Sequence, residues 1–472
     1  MEITDNVNRI FELQHQFENM QAIKSTDVKT RLEKIKKIER FLLDENNQNE
    51  LAKALYSDLR KSKEETIGYE IVPVVVAISA IYKQLNAWMH DHRVGAPLGM
   101  AGLSSYIKYE PKGHVLIIAP WNYPFQLAIS PLIHAIAAGN VIILKPSEIS
   151  ANTSAFIKKM LNSLFDEKEI AVVEGSVDVS TELLNKPFNH IFFTGSPAVW
   201  KIVMKAASQN LTSVTLELGG KSPVIVDDTA TIKKAVEKIA WAKLLNNGQT
   251  CIAPDYLLIH ESKKEEFVKE FALAVDRFYN TQGEGIEKST AYSRIINLKN
   301  FQRIISILGD AVTRGAKIIY GGSSNETDLF IAPTLVEGVN NTMAIMQEEL
   351  FGPLLPIKTY KELREVVTYI QTLPKALAIY IMSKSNKNIQ FILDHTSAGG
   401  TAINELMVTT INPNLPFGGV NNSGIGKSNG KYGFIEFSNE RGIVKRNWGT
   451  LKMLFPPYNK TIYKWLIKAS RI

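Results

Sequence analysis

The sequence predicts an α/β protein that contains two doubly wound domains and a small additional β element. From about residue 106, short and uniformly apolar runs alternate with segments of helical periodicity. This is the pattern of parallel strands that are buried on both faces and joined by helices. The 472 residues also exceed one hydrophobic core, since single cores stop growing near ~250–300 residues. Glycines and a proline at residues 218–223 then interrupt the pattern, which is typical of a domain boundary.

The first hundred residues are predicted to be helical. Leu32, Ile35 and Ile38 recur at helical spacing among charged residues. Further helices are expected at about residues 49–59 and 70–88.

The first α/β region is predicted to hold five strands joined by helices. The strands are expected at residues 115–119, 141–144, 170–173, 190–193 and 214–218, and the helices at 127–138, 151–165 and 198–207. Ligands of doubly wound sheets bind beyond the carboxyl ends of the strands. The residues that follow these strands are therefore the first candidates for a functional site.

The second α/β region begins at about residue 219. Its strands are predicted at residues 223–226, 256–259, 317–320 and 378–382, and its helices at 231–244, 264–279 and 298–309. The Gly-rich residues 416–433 are predicted to form a loop.

Composition excludes several classes of protein. The net charge is +7, but the last 25 residues contribute +5 and contain no acid, so the rest is nearly neutral and unlike a nucleic-acid-binding protein. One cysteine can form neither an internal disulfide nor a multi-cysteine metal centre, and no metal site is expected. The start of the chain lacks the basic and apolar segments of a secretory signal. The apolar residues 71–82 are too few to span a bilayer, so we expect a cytoplasmic protein.

The C-terminal segment, residues 448–472, is predicted to include a short basic amphipathic helix. Lys460, Lys464 and Lys468 recur every fourth residue, with apolar residues between them. Such a helix suits peripheral contact with a membrane surface or a cover over a tunnel mouth. A frayed, solvated terminus is the alternative.

Cys251 is the first candidate for chemistry. It follows the turn-forming residues 246–250 and is therefore expected on a tight loop. Backbone N–H groups at such a turn can stabilise a thiolate, which would then act as a nucleophile. Taken alone, a lone cysteine is more often a small buried apolar residue, and the polar neighbours Gln249 and Thr250 do not by themselves reverse that.

Two polar residues at strand ends are further candidates. Glu217 lies within an apolar strand, where a carboxylate with a raised pKa suits a general base; a strand-end salt bridge is the alternative. Asn122 follows the first strand of its region, where its amide could donate to a developing oxyanion; an ordinary turn asparagine is the alternative.

Three other segments have features of nucleotide-binding sites. Lys145 and Glu148 end a strand and could bind ribose hydroxyls, and residues 193–196 close a strand and open a helix, a geometry that suits a pyrophosphate. Residues 421–429 nearly match a dinucleotide fingerprint and a P-loop. We reject both matches, because asparagines stand where glycines belong and no convincing strand precedes them.

Together these residues resemble the aldehyde dehydrogenase superfamily, over about residues 30–447. Seven motifs in the family's order carry the resemblance: Pro120-Trp121-Asn122-Tyr123-Pro124, Leu144-Lys145-Pro146-Ser147-Glu148, Phe193-Thr194-Gly195-Ser196, Leu216-Glu217-Leu218-Gly219-Gly220-Lys221-Ser222-Pro223, Gly248-Gln249-Thr250-Cys251, Glu348-Glu349-Leu350-Phe351-Gly352-Pro353 and Leu415-Pro416-Phe417-Gly418-Gly419. The residues that follow Cys251 are most similar to the class 3 branch, which favours fatty and aromatic aldehydes.

The resemblance implies NAD(P)-dependent oxidation of an aldehyde to a carboxylic acid. Cys251 would be the nucleophile, Glu217 the general base, and Asn122 with the Cys251 backbone N–H the oxyanion hole. The residues implied for NAD or NADP binding are Trp121, Lys145, Glu148, Gly195, Ser196, Glu349 and Phe351. Those implied for an aromatic substrate tunnel are Tyr123, Trp241 and Phe417, each of which could equally be core.

The resemblance also implies the domain organisation and a homodimer. The NAD-binding domain would comprise residues 1–102 and 113–218, and the catalytic domain residues 219–415. Bridging strands would lie at 103–112 and 436–447, with dimer contacts near residues 105–109 and 442–446.

One residue departs from the family's pattern, and two other functions remain open. Trp200 stands where the family usually has a glycine, so it would weaken cofactor binding or point away into packing. A coenzyme A-acylating relative is disfavoured by Glu217. A catalytically silent NAD-binding scaffold is disfavoured because Cys251, Glu217 and Asn122 occur together.

Overall fold

The computed structural model describes residues 3–97, 100–449 and 455–470. Of the predicted C-terminal segment, Lys452, Arg471 and their immediate neighbours lie outside the described residues. Residues 1–2 and 98–99 of the predicted NAD-binding domain lie outside them as well.

Six helices and two strands open the chain. They are α1 (Ile3–His15), α2 (Phe17–Lys24), α3 (Val28–Leu43), α4 (Glu45–Leu59), α5 (Lys63–Thr66), α6 (Val72–Met89), β1 (His92–Val94) and β2 (Leu103–Pro111). The side chains of Asp27 and Asp44 cap α3 and α4 by accepting backbone N–H groups of the first turn. A π-helix, Ile67–Ile71, joins α5 to α6.

The first α/β region forms a six-stranded sheet. Its elements are β3 (His114–Ile118), α7 (Gln126–Ala138), β4 (Val141–Lys145), α8 (Ala151–Leu164), β5 (Ile170–Val172), α9 (Val177–Leu184), β6 (His190–Gly195), α10 (Pro197–Gln209) and β7 (Ser213–Leu218). Strands β7-β6-β3-β4-β5 are parallel, in that order. Alternate residues of β3 enter different clusters: Val115 and Ile117 pack on one face, and Leu116 and Ile118 on the other.

The second α/β region forms a seven-stranded sheet. Its elements are β8 (Pro223–Val226), α11 (Ile232–Leu244), β9 (Tyr256–His260), α12 (Lys264–Tyr279), α13 (Leu298–Thr313), β10 (Lys317–Tyr320), β11 (Ser324–Asn325), β12 (Phe330–Ile331), β13 (Thr334–Glu337), α14 (Ala344–Gln347), β14 (Leu354–Tyr360), α15 (Leu363–Gln371), β15 (Ala378–Met382), α16 (Asn386–His395) and β16 (Gly400–Ile403). The order is β10-β13-β14-β9-β8-β15-β16, with only β10 antiparallel to its neighbour. The predicted fold class is thus confirmed.

The last elements return to the first region. They are β17 (Gly424–Ile425), α17 (Gly430–Glu436), β18 (Ser438–Arg446) and α18 (Lys460–Ala469). Strand β17 pairs antiparallel with β7, and β18 pairs with β2 in the three-stranded sheet β1-β2-β18. The loop prediction for residues 416–433 was therefore wrong in part, because β17 and the start of α17 lie within it. The strand predicted at 436–447 begins at Ser438, because α17 continues to Glu436.

One helical stretch, Lys63–Met89, is long and apolar enough to cross a membrane by length and composition alone. Half of its most apolar window is buried in the protein. Ile78, Ile81 and Leu85 have no exposed surface and pack in the core beside the six-stranded sheet.

Candidate active site

The loop that carries Cys251 has an unusual backbone. It follows α11 through the 3-10 turn Leu245–Gly248, in which Asn246 and Asn247 have φ angles of 50° and 56°. Asparagine is one of the few residues with a side chain that tolerates this left-handed region. A side chain at Gly248, with φ at 75°, would place its Cβ 2.3 Å from the carbonyl oxygen of Gly352. The turn-forming residues that predicted a tight loop are required by this geometry.

Buried hydrogen bonds hold this loop in place. The Gln249 amide Nε2 donates to the carbonyls of Asn246, at 3.0 Å, and Arg294, at 2.9 Å. The backbone N–H of Asn246 donates to Glu65 Oε1 at 2.7 Å, and the Ser293 hydroxyl donates to Glu65 Oε2 at 2.8 Å. The loop that carries Cys251 is therefore tied both to α5 and to the segment before α13.

Cys251 is a free, half-buried thiol. Burial raises its pKa to about 12, and the nearby carboxylates of Glu349 and Glu217 add to the increase. The backbone N–H groups of Cys251 and Ile252 act in the opposite direction. Because the thiol stays protonated at neutral pH, its attack on a carbonyl requires a neighbouring base.

Glu217 is a base of this kind. It lies in β7 between Thr194 of β6 and Gly424 of β17, and only 6% of its surface is exposed. The Ser428 hydroxyl donates to Glu217 Oε1 at 2.8 Å, while the buried Oε2 has no hydrogen-bond partner among the described residues. Burial raises the Glu217 pKa to about 8, against the opposing effects of Ser428 and Lys427. No cation within the described part of the chain forms a salt bridge with Glu217, so the salt-bridge alternative is not what the fold contains.

Asn122 reaches the same loop from the carboxyl end of β3. Its side chain is buried, and Nδ2 donates to the carbonyl of Gln249 at 3.0 Å. Its own backbone carbonyl accepts from Lys61 Nζ and from Asn246 Nδ2, both at 2.8 Å. An amide nitrogen carries two hydrogens, so one can bind Gln249 while the other is directed elsewhere.

Glu349 is a second acidic residue near the thiol; it is half-buried, and its Oε1 lies in the interior. Its Oε1 has no hydrogen-bond partner in the described structure, and burial raises its pKa to about 8, with a contribution from Asp255. A Cβ at Gly219 would lie 2.1 Å from this oxygen. A ribose hydroxyl of a nicotinamide cofactor could donate a hydrogen bond to this unpartnered oxygen. Gly219 has no side chain and leaves room beside it, so Glu349 and Gly219 fit such a cofactor. Phe351, with φ at 47°, stacks edge-on with Trp121 at 5.3 Å between ring centroids.

The other predicted cofactor residues lie at the ends of β4 and β6. Lys145 is buried, and its Nζ donates to the exposed Glu148 at 2.5 Å. Ser196 precedes α10 and makes no side-chain cap. Pro197 has no N–H, and the N–H groups of Val199 and Trp200 already donate to the Ser196 carbonyl, so this helix start offers few free donors to an anion. At Gly195 a Cβ would lie 2.5 Å from the Phe193 ring.

Trp200 points away into packing, which is the second of the two alternatives stated for it above. It is partly buried and packs on the apolar cluster beneath α10, together with Met204 and Val203.

The three predicted tunnel residues occupy different positions. The Tyr123 hydroxyl is 3.0 Å from Thr250 Oγ1, the residue before the nucleophile, and Tyr123 is buried. Trp241 and Phe417 are half-buried at the edge of the apolar cluster that also contacts Cys251. Trp241 donates to the Tyr69 hydroxyl at 3.1 Å. Phe417 pairs with Ser428 through two backbone hydrogen bonds and so lies next to the Glu217 partner.

Sequence reasoning missed two groups of residues. Ser428 lies in the segment that was rejected as a phosphate-binding motif, and its hydroxyl instead binds Glu217. Lys61, Glu65 and Glu70 are buried beside the catalytic loop. Their segment is rich in charge and carries no periodic signal that separates buried from exposed residues. Within the described ranges, no group of side chains could hold a metal ion.

The family model for "Aldehyde dehydrogenase family" matches residues 6–443. The chain is 45% identical over 428 residues to 4,4'-diaponeurosporen-aldehyde dehydrogenase of Staphylococcus aureus, with 91% of each chain covered. It is 39% identical to aldehyde dehydrogenase family 3 member A2 of Pongo abelii, over 94% of this chain and 90% of the relative.

Its fold matches a solved structure described as the substrate-bound state of Staphylococcus aureus AldH. The TM-score is 0.93, at 43% identity and 99% coverage of both chains. Other solved structures of this fold contain NADP or NAD+. The chain therefore belongs to the aldehyde dehydrogenase family, has family 3 members among its similar relatives, and is an NAD(P)-dependent enzyme.

Proposed function

We propose that this enzyme oxidises an apolar aldehyde to its carboxylic acid through a thioester on Cys251 that is then hydrolysed. The observation that carries the proposal is the convergence of Cys251, the buried base Glu217 and the Asn122 amide at the carboxyl ends of β3 and β7. A nucleophile, a base with a pKa near neutrality and an oxyanion donor are the three groups that acyl chemistry requires.

In the first step the Cys251 sulfur adds to the aldehyde carbon, and the thiol proton passes to Glu217, which releases it to solvent before the second step. The carbonyl oxygen becomes an alkoxide, to which the Asn122 amide and the Cys251 backbone N–H donate. Loss of one such donor in comparable enzymes costs ~2.7–4 kcal/mol. Bound NAD or NADP supplies the acceptor for the hydride that leaves this carbon, and a thioester remains on Cys251.

In the second step Glu217 takes a proton from water, and the resulting hydroxide attacks the thioester. The carboxylic acid leaves, and the Cys251 sulfur recovers a proton. Ser428 holds one oxygen of Glu217, which leaves the unpartnered Oε2 to accept the proton. This base favours hydrolysis over transfer of the acyl group to coenzyme A.

We infer that the substrate carries a medium or long chain or an aromatic group. Trp241, Phe417 and Tyr69 supply apolar surface beside the cluster that contacts Cys251. Of the relatives named above, one is named for 4,4'-diaponeurosporen-aldehyde and the other belongs to family 3.

A graded aldehyde panel with NAD and with NADP, followed by absorbance of the reduced nicotinamide, tests the function. We expect turnover in the wild type and none in Cys251→Ser. Turnover in Cys251→Ser, or none with any aldehyde, would contradict it. Formation of an acyl-coenzyme A product in place of the acid, with turnover only when coenzyme A is present, would support the acylating alternative.

The C-terminal helix α18 is proposed to contact an anionic membrane surface peripherally. Tyr463 and Trp465 are exposed, and Lys460, Lys464 and Lys468 carry positive charge with no acid on the helix. Such a composition suits an interfacial helix. Sedimentation with vesicles that contain anionic lipid should pellet the full chain and leave a variant truncated before Lys460 in solution. Equal binding by both would contradict the proposal.

A homodimer is proposed from the edge strands of two sheets. Residues 439–442 and 444–446 of β18 are exposed, and β16 ends the seven-stranded sheet. Uncovered strand edges readily accept a further strand. Light scattering after gel filtration should give about twice the 52.7 kDa chain mass, whereas a monomer would contradict the proposal.

A further inference from the structure

The N-terminal helices contribute a fully buried ion pair to the site. Lys61, just before α5, donates through Nζ to Glu70 Oε1 at 2.6 Å, and neither side chain has any exposed surface. Burying two charges costs several kcal/mol per ion, which mutual attraction repays only when geometry and further hydrogen bonds are good. Such a pair is therefore a poor source of net stability, and its other contacts indicate what it does.

All the other hydrogen bonds of this pair fall on the turn that carries Asn122. Lys61 Nζ donates to the Asn122 backbone carbonyl at 2.8 Å. Glu70 Oε2 accepts the backbone N–H groups of Phe125, at 3.2 Å, and Gln126, at 2.9 Å. Lys61 also lies 3.9 Å from the centre of the Tyr123 ring. The pair thus holds the turn at both ends.

The π-helix between α5 and α6 places the side chains of Glu65 and Glu70 in the protein interior. Glu70 lies within the π-helix Ile67–Ile71, between α5 and α6. In a continuous α-helix, residues five apart would differ by ~140° in direction. The π-helix turn allows Glu65 and Glu70 to be buried together. Single π-turns occur frequently at functional sites.

We propose that Lys61 and Glu70 are positioning residues that fix the Asn122 amide as an oxyanion donor. The inference rests on the proposed function, because it assigns these residues a role only through Asn122. A shift of the 122–126 turn would misdirect the Asn122 Nδ2 hydrogen while leaving Lys145, Gly195 and Glu349, which lie on other segments of the predicted cofactor site, in place. Small misplacements of such groups are costly to catalysis.

Hydrolysis of p-nitrophenyl acetate isolates this step, because an activated ester forms an oxyanion and an acyl-cysteine without any hydride transfer. We expect Glu70→Gln to lower kcat for the ester by about 10- to 100-fold, with KM changed by less than about twofold. Binding of NADH, followed by its fluorescence, should be unchanged. An unchanged kcat, or equal effects on KM and NADH binding, would overturn the proposal.

A double-mutant cycle with Asn122→Ala tests whether Glu70 acts through Asn122. In the Asn122→Ala background, Glu70→Gln should lower kcat by less than about twofold, since coupled residues are not additive. A full, additive loss would overturn the proposal and identify Glu70 as a merely structural helix cap.

Two further variants separate the proposed positioning role from a folding defect. The wild type separates it from a failure of the proposed function. Lys61→Met/Glu70→Gln removes both charges, so it leaves no unpaired buried ion, and it should show the same loss of kcat. Lys34→Met breaks a partly buried pair with Glu169 far from the site and should retain activity. A wild type that hydrolyses the ester but oxidises no aldehyde would refute the proposed function alone.

Discussion

At the scale of single residues, the surroundings of Cys251 conflict with the expectation of a ready-made thiolate. The tight loop was predicted correctly, and its backbone N–H groups do favour the thiolate. Burial and two carboxylates outweigh them and hold the pKa near 12. The thiol is therefore protonated until a base acts on it.

The unliganded enzyme should consequently react slowly with iodoacetamide at pH 7. The rate of alkylation should rise about tenfold per pH unit from pH 7 to 9, because the thiolate fraction does so below the pKa. Intact mass reports Cys251 alone, since the chain has one cysteine. A rate that is already at a plateau below pH 8 would contradict the raised pKa.

Glu217→Gln should stop the reaction before the thioester forms. We expect no burst of reduced nicotinamide and little turnover, because no base takes the proton of the Cys251 thiol or activates water. Rapid-mixing absorbance would detect a burst. Steady turnover at the wild-type rate would show that another group is the base.

In the wild type, activity should rise with pH and level off above about pH 8, where Glu217 loses its proton. The Ser428 hydrogen bond stabilises the charged carboxylate, so Ser428→Ala should move this rise to higher pH. A profile of kcat against pH for both proteins measures the shift, and identical profiles would contradict it.

At the scale of elements, sequence patterns located strands that are apolar along their whole length. The five strands of the first sheet were found within about two residues. Strands β13, β14 and β16 were missed, since short runs such as Thr334–Glu337 lack a distinct pattern. Strand β17 has two residues and exists through its pairing with β7, which no local signal specifies.

The candidate site was predictable in part, for a similar reason. Cys251, Glu217 and Asn122 carry motifs and lie at strand or helix ends. Glu70 and Ser428 act through hydrogen bonds to residues 55 and 211 positions away. Only the folded chain brings such partners together, and a buried Glu70 cannot be told from a solvated one in a helical, charged segment.

Gly219→Ala should weaken cofactor binding. The link between β7 and β8 passes so close to Glu349 that a new Cβ would lie 2.1 Å from its carboxylate oxygen, which must move. We expect the Kd for NADH, measured by fluorescence, to rise at least about tenfold. Gly309→Ala, at a helical glycine with no neighbour within 4 Å, is the control and should bind normally. Equal affinities would show that Glu349 does not contact the cofactor.

At the scale of the whole molecule, three parts of the chain build one site. The helices before residue 90 supply Lys61, Glu65 and Glu70, the first sheet supplies Asn122 and Glu217, and the loop before β9 supplies Cys251. The site therefore exists only when all three parts are folded together. Buried acids at such a site reduce the stability of the fold that holds them.

The stability of the enzyme should accordingly depend on pH through Glu217. Its folded-state pKa, about 8, lies above the unfolded value of 4.5, so its favourable contribution is complete below pH 4.5 and is lost as pH rises towards 8. The loss is on the order of 5 kcal/mol, at ~1.4 kcal/mol for each pKa unit. Glu217→Gln should therefore gain in Tm relative to the wild type as pH rises from 5 to 8. A difference in Tm that does not vary with pH would contradict this.

The loop before Cys251 also contains a site at which the chain can be damaged chemically. Asn247 is followed by Gly248, and asparagine before glycine readily loses ammonia when the flexible backbone nitrogen attacks the side-chain carbonyl. In the folded enzyme Asn247 is fully buried, and its amide donates to the Ser293 carbonyl at 2.7 Å, which holds the side chain away from that reaction. Unfolded molecules lose this protection. Asn247 can therefore deamidate while the chain is unfolded, and this change is irreversible. The resulting aspartate would add a negative charge four residues before the thiol.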